Sequence, residues 1–291
     1  MKIKQTESPQ LLFWPGSLNG RGFTELLEAA SSGGYGHMAV SPLMVDQLLS
    51  SGRSAADLLA EADSHHVQFS HLDGVSSWAP LWYQADPFPW IKERFDFSSE
   101  KCLDMAEALG MTSILAAGAF DKGALSLDEL IQAFGEFCDA AAKRNLRVEL
   151  EFVPFWGIPD LTFAWKIVQG ANRPNGGILV DTWHLHKGTT NLEADLELLA
   201  SIPSGIIQNV QVADARLAKQ ADTLYGEGRF RLFPGSGELA IDRILRIIAA
   251  TGELKWIGTE IFGDAIDQLT SAEAGKQSSA SLRSIISGLD Q

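Results

Sequence analysis

Eight short apolar runs punctuate the chain. They are residues 11–16 (LLFWPG), 37–42 (HMAVSP), 67–74 (VQFSHLDG), 112–120 (TSILAAGAF), 147–155 (RVELEFVPF), 176–183 (GGILVDTW), 206–215 (IIQNVQVADA) and 256–263 (WIGTEIFG). Runs this continuous predict parallel strands covered on both faces. Between them, apolar positions return every three or four residues, as on one stripe of a helix. After Ser126, residues Leu127, Leu130, Ile131, Phe134 and Cys138 share such a stripe, and Ser126 with Glu129 forms a capping box. Pro159 and Asp160 predict a helix start before LTFAWKIV. A third helix is predicted over Ile241, Ile244, Leu245 and Ile248, with Gly252 suited to its end. Eight strand–helix repeats imply an α/β chain folded as a single (β/α)8 TIM barrel over residues 1–291. The competing open, doubly wound sheet usually carries a glycine-rich phosphate turn after its first strand, and WPGSLNGRG (14–22) contains no GxGxxG.

Composition narrows the partners. The chain has 291 residues, 45% hydrophobic and 21% charged, an ordinary globular balance. A formal net charge of −14 repels phosphate backbones and anionic lipid, so neither nucleic acid nor a membrane surface is expected as partner. The apolar stretch in MKIKQTESPQLLFW is too short for a signal peptide, and no run is long enough to span a bilayer. Cys102 and Cys138 both fall in helical pattern and give no disulfide framework, which fits a reducing cytoplasm. A homodimer or homotetramer is compatible with these features.

In such a barrel the chemistry lies at the C-terminal ends of the strands. Alternation puts Glu149 and Glu151 of the fifth strand on one face; Asp181 ends the sixth, Gln211 shares a face with Asn209 in the seventh, and Glu260 shares one with Gly258 in the eighth. Four successive strands thus offer three acids and an amide at one level. Buried carboxylates need pairing or a metal. With no lysine or arginine expected inside these strands, a divalent cation is the expected neutraliser: Mn²⁺ or Mg²⁺ first, Co²⁺ or Zn²⁺ as alternatives. The plainer alternative leaves each acid in a solvated loop just past its strand. His184, three residues beyond Asp181, is expected on a loop over the mouth, able to reach a substrate or act as acid or base. His186 is expected behind it or in solvent. Trp14, Trp78, Trp82, Trp90, Trp156 and Trp183 near the mouth fit either sugar stacking or loop packing.

The segments LEFVPF around Glu151, LVDTWH with Asp181 and His184, VQVADA with Gln211 and Asp214, RLFPGSGEL from Arg231 to Leu239, and TEIF around Glu260 resemble the sugar phosphate isomerase/epimerase superfamily of xylose isomerase-like barrels. The resemblance covers the fifth to eighth strands. It implies one divalent ion held by Glu151, Asp181, Gln211 and Glu260. A glutamine as third ligand is shared with hydroxypyruvate isomerase and sugar-type dehydroshikimate dehydratases; ketose 3-epimerases have histidine there. The resemblance further implies substrate contacts from His184 and Arg231 (or Arg216 or Arg229). Asp214 is read as orienting the site or touching substrate, and Trp183 and Trp156 as substrate-lining aromatics. Residues 216–230 intervene between VQVADA and PGSGEL as a loop or lid.

The activity expected is a metal-dependent isomerase or epimerase acting on a small keto-sugar or polyol through an enediolate, with Glu151 and Glu260 moving the proton and His184 assisting. Two rivals share the scaffold: a dehydratase of a cyclic keto-polyol, with His184 as base, and a non-catalytic sugar-binding barrel. A three-metal nuclease of the endonuclease IV kind would need more histidines and a basic groove.

Overall fold

The computed structural model describes residues 8–18 and 20–289. Residues 1–7, part of the N-terminal stretch weighed above as a leader, lie outside the described residues. The strands are β1 (Gln10–Phe13), β2 (His37–Val40), β3 (Gln68–Val75), β4 (Ser113–Ala116), β5 (Arg147–Glu151), β6 (Gly176–Asp181), β7 (Ile207–Val212) and β8 (Trp256–Thr259). Their order is the closed barrel β1-β2-β3-β4-β5-β6-β7-β8. β8 returns parallel to β1, with Gln10 opposite Trp256 and Leu11 opposite Ile257. The expected TIM barrel is therefore the observed fold. Every apolar run overlaps a strand, although the first run overshoots β1 into a 3-10 turn, Pro15–Leu18.

The helices are α1 (Phe23–Gly33), α2 (Pro42–Ser50), α3 (Ala55–Ser64), α4 (Pro89–Phe95), α5 (Ser99–Ala108), α6 (Leu127–Ala142), α7 (Leu161–Ala171), α8 (Thr182–Gly188), α9 (Leu192–Ser201), α10 (Leu224–Glu227), α11 (Ile241–Ala249), α12 (Asp264–Asp267) and α13 (Ser271–Leu289). Their starts follow local chemistry. Ser126 and Glu129 close the capping box of α6, and the Asp160 side chain accepts the Phe163 N–H at the start of α7. α11 ends at Ala249; Gly252 takes its left-handed conformation two residues beyond the Ala250 cap.

Contacts gather the chain into two compact units. One comprises Met1–Met38, Ser64–Gln68 and Val180–Gln291. Within it α13 lies along α1, and Gly275 permits the approach: a Cβ there would run into the Ala29 carbonyl. The other comprises Ala39–Asp63 and Phe69–Leu179. There β4, β5 and the start of β6 run side by side, and α6 packs on α7. Its interior holds a buried polar pair, His71 Nε2 and Glu149 Oε2, 3.5 Å apart. Arg147 opens β5 and its Nε lies 3.4 Å from Glu149 Oε1, so a cation does lie inside these strands, contrary to expectation. Among the described residues no helix is long and apolar enough to cross a membrane.

Candidate metal centre

β6 ends on Asp181, and the chain turns at once into α8. One oxygen of the Asp181 carboxylate explains the turn: Oδ1 accepts the His184 N–H at 2.9 Å, capping the helix. The expected loop over the mouth is therefore a helical first turn, and His184 is buried in it. The other oxygen, Oδ2, faces Arg231 Nη1 at 2.7 Å. Thr182 ties the same turn to the end of β7: its hydroxyl donates to Ala213 O at 2.8 Å and accepts the Ala213 N–H at 3.0 Å.

Glu260 follows β8 directly. Its backbone N–H bonds Val212 O at 3.2 Å, continuing the β7–β8 register in which Gln211 faces Gly258. Ser17, from the turn after β1, brackets Glu260: its hydroxyl donates to Thr259 O at 3.3 Å and accepts the Ile261 N–H at 3.0 Å. Neither Ser17 nor Thr182 was legible as a site residue. Only their contacts with strands distant in sequence reveal them.

Arg231 is the feature the strand pattern could not show. It is 2% exposed and enters from the loop after residues 228–230. Nη1 donates to Asp181 Oδ2, to Glu260 Oε2 at 3.0 Å and to Glu260 O at 3.0 Å. Its guanidinium carbon lies 4.7 Å from the ring centres of both Trp183 and Phe262. The expectation that these acids have no ion-pair partner is thus corrected: a loop arginine reaches two of them. Trp183 is fully buried and offers its face to Arg231. Trp14 and Trp78 are likewise buried, whereas Trp90 is exposed. Trp156 is half-buried against Phe95 and Phe155 in the other unit.

Burial works against ionisation of Asp181, but the Arg231 charge and the His184 amide outweigh it and hold the carboxyl below its ordinary range. For His184, burial is the main cause of a value pushed down to about 3; Asp181 opposes that shift and Arg231 adds to it. The imidazole is therefore neutral at neutral pH. Arg231 Nη2 lies 3.3 Å from His184 Nε2, and a guanidinium only donates, so Nε2 keeps a lone pair.

Asp181, His184 and Glu260 are all buried, and each offers one ligand atom within 4.8 Å of the other two. Gln211 Nε2 donates to Glu260 Oε1 at 3.3 Å, while its Oε1 is buried with no hydrogen-bond partner among the described residues. An acceptor oxygen left over beside carboxylates suits a hard or borderline cation. Charge agrees in sign: the two carboxylates of Asp181 and Glu260 outnumber the one guanidinium of Arg231. The donor set therefore fits a divalent cation, for which Asp181, Glu260, His184 and Gln211 are candidate ligands on this unit.

The remaining residues support this centre. The Asp214 carboxylate accepts the N–H groups of Ala215 (2.9 Å), Leu239 (3.0 Å), Gly235 (3.1 Å) and Gly237 (2.8 Å). Its oxygens hold the PGSG loop, in keeping with an orienting role. His186 Nε2 accepts the Ala240 N–H at 2.8 Å. Arg229 pairs with Asp267 at 2.6 Å on the surface, and Arg216 is exposed.

The profile of the xylose isomerase-like TIM barrel family matches residues 27–285. The chain belongs to this family. Its relatives include the 3-dehydroshikimate dehydratase of Pseudomonas putida, 32% identical over 172 residues, which are 57% of this chain and 26% of that protein. The inosose isomerase of Halalkalibacterium halodurans is 25% identical over 183 residues, 60% of this chain and 61% of its own length. The match thus spans about a quarter of the dehydratase and less than two thirds of the isomerase. Among solved structures, an IOLI protein with a bound zinc atom superposes with a TM-score of 0.79 at 19% identity, covering 96% of this chain and 98% of that one. The probable 3-DHS dehydratase AsbF of Bacillus anthracis gives 0.67 at 16%, covering 91% and 97%. At these identities the two structures speak for the fold alone.

Proposed function

We propose that the protein is a divalent-metal-dependent isomerase or epimerase of a keto-sugar or cyclic keto-polyol. The observation that carries this reading is the buried cluster: three ligand-bearing side chains, Asp181, His184 and Glu260, gathered within 4.8 Å. The name of the inosose isomerase among its relatives points to the same substrate class. A bound cation would supply Lewis acidity, withdrawing electron density from the substrate ketone and acidifying the neighbouring C–H.

The chain's own groups do the rest. Glu260, oriented by Arg231 and Gln211, takes the proton from the carbon beside the ketone. Glu151 supplies a proton in return, to the opposite face for epimerisation or to the adjacent carbon for isomerisation. Arg231 places a fixed positive charge beside the oxygen on which negative charge develops. Neutral His184 can hydrogen-bond a substrate hydroxyl. The burial of these side chains strengthens each of these interactions.

The 32% identity to the P. putida enzyme favours one second reading, loss of a β-hydroxyl from a cyclic keto-polyol with His184 as base. The test incubates the Mn²⁺-loaded protein with keto-sugars and cyclic keto-polyols in D₂O. An isomerase or epimerase incorporates deuterium next to the carbonyl without a new chromophore; a dehydratase yields a conjugated, ultraviolet-absorbing product. Either way Glu260→Gln and Glu151→Gln lose about 10³-fold in turnover. Undiminished turnover in Glu260→Gln would remove both readings.

A further inference from the structure

Residues 216–230, the segment that precedes Arg231, are almost wholly at the surface. Leu217, Tyr225 and Phe230 expose large apolar side chains. Among the described residues of this segment the one classed as buried is a charged one, Glu227. Its Oε2 accepts from Lys187 Nζ at 3.0 Å, and the two side chains are 6% and 14% exposed. Its Oε1 accepts the backbone N–H groups of Gln220 and Ala221. Lys187 also donates to Arg216 O at 3.2 Å. One ion pair therefore gathers the beginning, middle and end of the segment. Lys187 belongs to α8, one turn after His184. Four residues beyond Glu227 comes Arg231, and Leu232 then pairs antiparallel with Asp214.

We propose that Lys187 and Glu227 form a latch that positions Arg231: the latch fixes the chain before the arginine as Asp214 fixes it after, and so holds the guanidinium on Asp181 and Glu260. This rests on the metal-centre reading for its consequence. An arginine held on two ligand carboxylates competes with a divalent cation for their charge, so releasing it tightens cation binding.

The experiment compares Lys187→Met, Glu227→Gln and Arg231→Met with the parent, each checked by circular dichroism. Mn²⁺ titration is one readout, and mass-resolved tryptic cleavage after Arg216, Lys219 and Arg229 is the other. Breaking the latch is expected to speed cleavage in the segment about tenfold while the rest of the barrel stays resistant. Arg231→Met and both latch variants are expected to bind Mn²⁺ about tenfold more tightly. Lys187→Met is expected to add nothing in the Arg231→Met background, because the latch acts through the arginine. Parental cleavage rates in both latch variants overturn the latch. Faster cleavage with unchanged or weaker Mn²⁺ binding overturns the positioning of Arg231. A parent that binds no divalent ion defeats the proposed function instead, and the cleavage arm then judges the latch alone.

Discussion

Replacing Asp214 should destabilise the fold in two distinguishable steps. The carboxylate is 2% exposed and receives four backbone N–H groups, two on each oxygen. Bonds to a charged acceptor contribute about 1.5–3 kcal/mol each. Four at face value would approach the whole margin of a domain, roughly 5–15 kcal/mol. The sum is not realised, because Gly235 is exposed and Gly237 half-buried, so those donors turn to water when released. The Ala215 and Leu239 donors lie in buried surroundings and cannot. Asp214→Asn keeps one acceptor oxygen, which will face those two buried donors and leave its NH₂ against the glycines. The expected loss is about 2–3 kcal/mol. Asp214→Ala orphans all four donors and should lose about 4–5 kcal/mol. Urea unfolding reads both as shifts of midpoint at constant slope. An Asn variant within about 0.5 kcal/mol of the parent, or an Ala variant no worse than Asn, would show that the charge of Asp214 does not hold the loop.

Gly237→Ala should lose about 2–4 kcal/mol, since its Cβ would meet Asp214 Oδ1 and lie 2.5 Å from Ala215 O. In an Asp214→Ala background the same change should lose measurably less, which a double-mutant cycle detects. Gly258→Ala drives a Cβ into the Leu12 carbonyl and within 2.5 Å of Trp14 in the barrel wall; little soluble protein is expected on expression. The Glu227 carboxyl lies below its ordinary range: burial opposes ionisation, but Lys187 and the Ala221 and Gln220 amides overcome it. A depressed folded value means stabilisation present at neutral pH and lost as pH falls from the ordinary carboxylate range through the folded one. Hydrogen-exchange protection at Gln220 and Ala221 should decline across that window, and Glu227→Gln should abolish the dependence. Chelation followed by Mn²⁺ at 100 times its dissociation constant should return about 2.7 kcal/mol. In calorimetry that is a rise of roughly 4–5 °C in Tm for a chain of this size.

The barrel was readable because parallel strands buried on both faces write their apolar runs without interruption. The candidate ligands were readable for a related reason: a carboxylate at the end of such a run, as at Glu151, Asp181 and Glu260, interrupts a pattern that otherwise excludes charge. The resemblance pointed to Arg231, but its hold on Asp181 and Glu260 was not readable, because a loop residue's reach depends on the path of the loop, here set by Asp214 and Leu232. His184 was misplaced onto a loop because the Asp181 side chain that begins α8 is also a candidate ligand, and the sequence does not say that one carboxylate serves both ends. The seven-residue α8 is too short to announce itself by periodicity. Ser17 and Thr182 are ordinary polar residues until the fold brings them beside Glu260 and Ala213.

The division of the Asp181 carboxylate explains why this position holds aspartate and not the longer acid. Its oxygens are bound in opposite senses, one inward to the backbone of its own helix and one outward to the charged centre. A glutamate, one methylene longer, could still reach outward but would overshoot the amide three residues on. The choice of acid at the end of β6 is thereby dictated by how the next helix begins, and whatever neutralises the outer oxygen is mechanically joined to the first turn of the polypeptide that follows.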